Sequence, residues 1–250
     1  MTFKIELTSP LGALLLTLAT SFLVASAGFA SPFTPYSSHL GEDHSREDHR
    51  NETLTGIDLT GSDISRSNFG NADLTSAILD SADASRTDFR DAILSSASLR
   101  STVLDRADLR DAIAIAADFT NASLDRANAR DVNLMNAILD GAVFGDADFR
   151  DANLGGASLI GALLGTTSLR DANLSYTNLV GANLQNVRNF GTTNFNGAYY
   201  DATTLLPFGL DTSSMTLVPE PTSAVLLALG LIGLELYGRR SERSVARVAA

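Results

Sequence analysis

From Leu54 to Leu184 every fifth residue is apolar, beginning Leu54, Leu59, Ile64, Phe69, Leu74, Leu79, Ala84 and Phe89 and continuing without interruption. Two residues before most of them stands a small one, most often alanine, as at Ala72, Ala77, Ala82, Ala92, Ala97 and Ala107. Neither regular structure accommodates such a period. Five residues turn an α-helix through about 500°, carrying the apolar positions around every face, and an odd step along a strand sends them alternately to opposite faces. The chain must therefore turn a corner about every five residues, with its apolar side chains inward.

A longer period sets how many corners make one coil. Arg90, Arg110, Arg130, Arg150 and Arg170 are each followed by an aspartate, namely Asp91, Asp111, Asp131, Asp151 and Asp171, at a spacing of twenty residues. Arg66, Arg86, Arg106 and Arg126 repeat with the same step. Four pentads then close one turn of a four-sided β-solenoid, and equivalent residues stack in columns about 4.8 Å apart. The five aspartates would form a like-charge ladder, which the adjacent arginines are expected to bridge within and between coils. These ten residues make a candidate interaction face for divalent cations or an acidic polysaccharide, or else a self-satisfied charged surface.

The recurring pattern A-[D/N]-L-x-x, as in Ala72-Asp73-Leu74, Ala107-Asp108-Leu109, Ala152-Asn153-Leu154 and Ala172-Asn173-Leu174, resembles the pentapeptide-repeat family over roughly residues 51–206. The resemblance implies an all-β fold, a right-handed quadrilateral parallel β-helix of about eight coils. The rhythm slips by one residue between Leu184 and Phe190 and resumes through Phe195, Tyr200 and Leu205, which predicts a bulge before the last coil. Open ends of a solenoid need covering. Tyr199, Tyr200, Leu205, Leu206, Pro207 and Phe208 are expected to cap one end. At the other, His39, His44 and His49 fall in phase with the leucines, so residues 31–50 are expected to be a polar cap or a linker. Glu42, Asp43, Glu47 and Asp48 lie among these histidines, but five-residue spacing is expected to place successive rings on successive sides, so no metal site is expected.

The ends of the chain read differently. Residues 11–24 are apolar, preceded by Lys4 and followed by small residues, which predicts a signal peptide over 1–30 cleaved after Ala27 or Ala30. Near the other terminus Val218-Pro219-Glu220-Pro221 precedes an apolar stretch, residues 224–237, and the pair Arg239 and Arg240. This order resembles the PEP-CTERM sorting signal of Gram-negative bacteria, and implies processing by an exosortase-type enzyme after transient inner-membrane anchoring. Residues 51–208 would then be the β-helix, 209–217 a linker and 218–250 the sorting segment. A plain membrane anchor is the alternative reading of the same tail.

The sequence has no cysteine, which excludes disulfides and thiol chemistry, and carries a net charge of −11. Charges cancel within residues 1–30, so the acidity belongs to the repeats, and nucleic acid or an anionic lipid surface is an unfavourable partner. No nucleophile elbow, phosphate loop or H-E-x-x-H motif is present, and no cofactor is expected. The chain reads as an exported, non-enzymatic structural or binding protein of the cell envelope or extracellular matrix. The alternative, borrowed from acidic members of the resembled family that mimic DNA and bind topoisomerases, conflicts with export.

Overall fold

The computed structural model describes residues 39–219, and their architecture follows from one pentad's hydrogen bonds. In Ala72-Asp73-Leu74-Thr75-Ser76, the Asp73 N–H donates to Glu52 O of the preceding coil at 2.9 Å. The N–H groups of Leu74 and Ser76 donate to Ile93 O and Ser95 O of the next coil at 2.7 and 3.0 Å. Ala72 N–H closes a turn onto Phe69 O at 3.0 Å. The fifth donor, Thr75 N–H, has no backbone partner and is taken by the Asp73 side chain at 3.0 Å. This explains the aspartate or asparagine beside each leucine: its oxygen caps the N–H two residues on. Asp63, Asn68, Asp83, Asn173 and Asn178 do the same.

Repetition of this unit builds a β-helix solenoid. Isolated parallel bridges recur every five residues, and each pairs with the residue twenty further on, from Asp43↔Asp63 to Ser168↔Arg188. The corner residue two after each axial position adopts positive φ, as at Asn71, Ser76, Asp91 and Arg106 (57°, 58°, 57° and 60°), with the turn closed by a 3→0 hydrogen bond of the type II kind. Side chains that tolerate or hydrogen-bond in this conformation, or glycine, fill most corners. Every fifth residue from Leu54 to Leu184 is buried, so the apolar period is the solenoid axis. The small residues beside it are buried too. Where one is polar its hydroxyl is satisfied: Ser67, Thr87 and Thr102 donate to His44 O, Ile64 O and Leu79 O at 2.6, 2.8 and 2.7 Å. Along one flank Asn133, Asn153, Asn173 and Asn194 form an amide ladder with steps of 3.3, 3.0 and 3.1 Å.

The regularity breaks in two places. At Gly145 and Gly165 the positive φ moves one residue earlier in the turn (52° at both), and Thr166 N–H now donates to Gly145 O at 2.9 Å. After Leu184 a 3₁₀ turn, Phe190–Thr192, lengthens the coil, and the bridge step becomes twenty-one at Asn173↔Asn194 and Asn178↔Tyr199. The slip expected there is therefore real, but a second residue is gained around Asp201, whose carboxylate gathers the N–H groups of Thr203 and Thr204 at 3.0 Å each. Asn183↔Leu205 is consequently a twenty-two-residue step, Leu205 sits at an outward bridge position, and the axial phase passes to Leu206.

The covering of that end also departs from expectation. Pro207 is buried, but Phe208 is fully exposed and Tyr199 and Leu205 are exposed. Leu210 and Met215 pack against the core instead, together with Phe190. Residues 209–217, expected as a linker, carry β2 (Thr216–Leu217), which pairs in parallel with β1 (Tyr199–Tyr200). The expected signal segment 1–30, with Ala27 and Ala30, lies outside the described residues, as do Glu220, Pro221, the 224–237 stretch, Arg239 and Arg240. Among the described residues no helix is long and apolar enough to cross a membrane.

Candidate functional site

Two arginine columns run along the solenoid, and their surroundings differ. In the column Arg90 to Arg170 the expected bridging of neighbouring aspartates is not what forms. Arg90 bonds Asp88 at 2.5 Å, Arg110 bonds Asp108 at 2.6 Å and Arg150 bonds Asp148 at 2.5 Å. Arg130 reaches forward to Asp148 at 3.3 Å. Residues two apart on a strand share a face, whereas Asp91, Asp111, Asp131 and Asp151 occupy the left-handed corners and turn away. Only Arg170 meets its neighbour, Asp171, at 3.4 Å among the described residues. Hydrogen bonds from Arg150, then Arg130, outweigh burial and hold the Asp148 carboxyl at about 2. Burial would raise Asp88, but Arg90 outweighs it and the net shift is downward. This face is internally neutralised.

Arg66, Arg86, Arg106 and Arg126 are themselves corner residues, with φ of 57–61°, and line an open groove with Asp83, Asp105 and Asp125. Asp83 is occupied by Ser85 N–H at 2.9 Å and Asp105 by Ser123 Oγ at 2.5 Å. Arg126 comes only within 3.9 Å of Asp125 and Asp146. Among the described residues Arg66, Arg86 and Arg106 make no ion pair. Guanidinium groups thus recur along this groove at the coil spacing with their donor forks open to solvent.

The third unusual place is the first described pentads, residues 39–52. The histidines take the axial positions and Glu42, Glu47 and Glu52 the small-residue positions beside them. Because all axial side chains point at one axis, the rings converge rather than separate: His39 and His44 meet edge to face at 5.1 Å and His49 stacks on Phe69 at 4.9 Å. Carboxylates alternate between the rings. Glu42 contacts His39 Nδ1 at 2.8 Å and His44 Nε2 at 3.1 Å. Glu47 contacts His44 Nδ1 at 3.1 Å and His49 Nε2 at 3.0 Å, and Glu52 contacts His49 Nδ1 at 3.1 Å. The hydrogen bond with His39 is the largest influence holding the Glu42 carboxyl below its usual value. His49 is fully buried, while the His44 and His39 side chains are 12% and 23% exposed.

The pentapeptide repeats family model matches in eight copies, spanning residues 54–91, 92–128, 130–165, 147–186 and 167–199. The chain belongs to the pentapeptide repeat family. A pentapeptide repeat protein from Nostoc PCC 7120 is 32% identical, covering 40% of this chain and 84% of that one, with a TM-score of 0.39. Another from the cyanobacterium Cyanothece 51142 is 35% identical over 38% of this chain and 63% of its own, with a TM-score of 0.37. HetL, a pentapeptide repeat protein involved in heterocyst differentiation regulation in Nostoc sp. PCC 7120, is 22% identical over 87% of this chain and 98% of its own, with a TM-score of 0.39. No curated protein matches the chain.

Within this pentapeptide repeat protein, the sequence places the Arg90 and Arg66 columns correctly in register but assigns the wrong carboxylates to the first. Which arginine column stays open depends on side-chain direction at corner and strand positions, and no periodicity carries that information. The His/Glu end was within reach, since Glu42, Glu47 and Glu52 stand in the alanine phase of the same pentads. The matched family residues begin only at 54, after this segment.

Proposed function

We propose that this pentapeptide repeat protein is an exported, non-enzymatic structural or binding protein of the cell envelope or extracellular matrix, whose solenoid presents the Arg66 to Arg126 groove to an acidic polysaccharide. The carrying observation is the repeat of guanidinium groups along that groove, with no ion-pair partner at Arg66, Arg86 and Arg106 among the described residues. A polymer with regularly spaced carboxylates can engage several planar forks at once. The chain's net charge of −11 disfavours long-range approach, so binding rests on these short-range contacts. The Arg90 column is the weaker candidate, because a polymer there must displace Asp88, Asp108 and Asp148 from their own arginines. A DNA-mimic role is weaker too, since those arginines neutralise one aspartate stripe.

The same proposal takes the solenoid to be a right-handed quadrilateral of about eight coils, a shape supported by bridges every five residues and a twenty-residue pairing step. Export rests on the signal-like segment 1–30, and processing by an exosortase-type enzyme on the order of Val218, Pro219, Glu220, Pro221, the 224–237 stretch, Arg239 and Arg240. Intact-mass measurement of the native product decides the processing: a mature chain retaining Arg239 and Arg240 refutes it. Binding is tested with alginate, a polyuronate, against the wild type and two variants. Replacing Arg66, Arg86, Arg106 and Arg126 by glutamine is expected to abolish retention, and replacing the five arginines from Arg90 to Arg170 is not. The reverse pattern moves the face to the other column, and retention unchanged in both sinks the polysaccharide reading.

A further inference from the structure

We propose that His39, Glu42 and His44 form a binding site for a first-row divalent transition metal ion, zinc being the reference case, in the first described pentads of the solenoid. One donor atom from each residue lies within 4.8 Å of the other two. The Glu42 oxygen is 2.8 Å from His39 Nδ1 and 3.1 Å from His44 Nε2. Two ligands on a tetrahedral ion with bonds of about 2.0–2.1 Å lie about 3.3 Å apart, close to the spacing of Glu42 from each of the two rings. Two imidazoles and a carboxylate suit zinc and its neighbours rather than calcium, which selects oxygen. Glu42 is about half exposed and His39 partly so, which leaves an approach for the ion.

A second observation is independent of the donor distances. The far nitrogen of His44, Nδ1, meets the Glu47 carboxylate at 3.1 Å, the outer-shell arrangement that fixes ring orientation and strengthens a metal-ligating imidazole. Glu47 is steadied in turn by buried His49, and His49 by Glu52. A merely polar cap needs water-compatible side chains at the end of the stack. It does not need the sequence to put a buried histidine where the next coil has Phe69, nor a carboxylate behind each ring.

The test uses untagged full-length chain and zinc chloride alone. Titration calorimetry is expected to give one tight site per chain, and zinc to raise the melting temperature because it binds only the folded cap. His39→Gln and Glu42→Gln each remove one ligand and are expected to abolish that melting shift. Glu47→Gln leaves all three ligands and is expected to weaken zinc binding about 10- to 100-fold. Asp91→Asn, remote on the flank, should leave it unchanged, and calcium chloride should not compete. The His39 side chain is partly exposed whereas His49 is fully buried, so His39→Gln keeps the test decisive even if changes deeper in the cap disturb folding. Absence of zinc binding in the wild type, or equal affinity in wild type and His39→Gln, overturns the assignment in favour of a polar cap.

Discussion

Introducing one aspartate at two positions three residues apart tests the register of the whole solenoid. Leu104 is fully buried on the axis, with Ala84 in the coil before it, which offers little bulk to fill a space. Ser101 is an exposed corner residue at φ 55°, the conformation that Asp91, Asp111, Asp131, Asp151 and Asp171 already hold at 57–60°. Leu104→Asp forfeits about 2–3 kcal/mol of apolar burial. It also places a carboxyl among alanines, leucines and phenylalanines, at a further cost of about 2–4 kcal/mol even when protonated. The total, about 5 kcal/mol, rivals the entire stability of an ordinary domain. Ser101→Asp changes an exposed side chain in a tolerant conformation and should stay within about 0.5 kcal/mol of wild type. Urea unfolding followed by far-ultraviolet circular dichroism measures both. Because solenoid coils hold mainly to their neighbours, Leu104→Asp is also expected to split the single transition into two. Comparable midpoints for the two variants would falsify the axial assignment.

Two further perturbations probe the breaks and the charges. Gly161 and Gly165 both hold positive φ, 66° and 52°, yet a Cβ on Gly161 meets nothing within 4 Å whereas one on Gly165 would lie 2.5 Å from Gly145 O. Gly161→Ala is expected to cost about 1 kcal/mol of backbone strain. Gly165→Ala should cost at least twice that, because a backbone oxygen must also shift, and equal thermal midpoints would refute the displaced turn. Asp148 has its carboxyl lowered from 3.8 to about 2, with Arg150 the largest cause. A depressed acid stabilises the fold above its unfolded value, so this contribution is full above about pH 5 and is lost as pH falls from 3.8 towards 2. The shift alone corresponds to about 2 kcal/mol, which screening at a side chain 27% open to water reduces to about 1 kcal/mol. Asp148→Asn should therefore lower stability more at pH 6 than at pH 2, and an equal deficit at both pH values points to lost packing instead.

How much was legible in the sequence depended on whether a feature repeats. The axial leucines, the alanines beside them and the twenty-residue step are translational, and all hold from Leu54 to Leu184. The aspartate or asparagine of the pattern was visible, although its reason, the uncapped N–H two residues on, needed the hydrogen-bond geometry. Side-chain direction was not legible: Arg90 was matched to the adjacent Asp91, but strand geometry aims it at Asp88. Five-residue spacing suggests successive sides for the three histidines, yet inward residues share an axis whatever side they start from. At the other end a single slip was visible as a phase change in the leucines. The second slip was hidden because Leu205 and Leu206 are both apolar and either could hold the phase.

Translational repetition also governs where one-off chemistry can arise. Along some flanks a residue type recurs at the coil spacing, so a side chain there has a copy above and below, as in the asparagine ladder. Such columns favour extended, periodic partners and disfavour a compact site of unlike groups, because adding a third ligand type would require breaking the column. Unlike groups can converge where axial positions cease to carry apolar fill. At residues 39–52 that condition is met: the axis carries His39, His44 and His49, and the inner small positions carry glutamates. The two proposals are thus separable on physical grounds. An arginine column should bind polymers with strength that scales with the number of coils, while the histidine end should bind one ion per chain whatever the solenoid length. Deleting one internal twenty-residue coil that carries one of the four groove arginines should therefore weaken alginate retention and leave zinc stoichiometry unchanged.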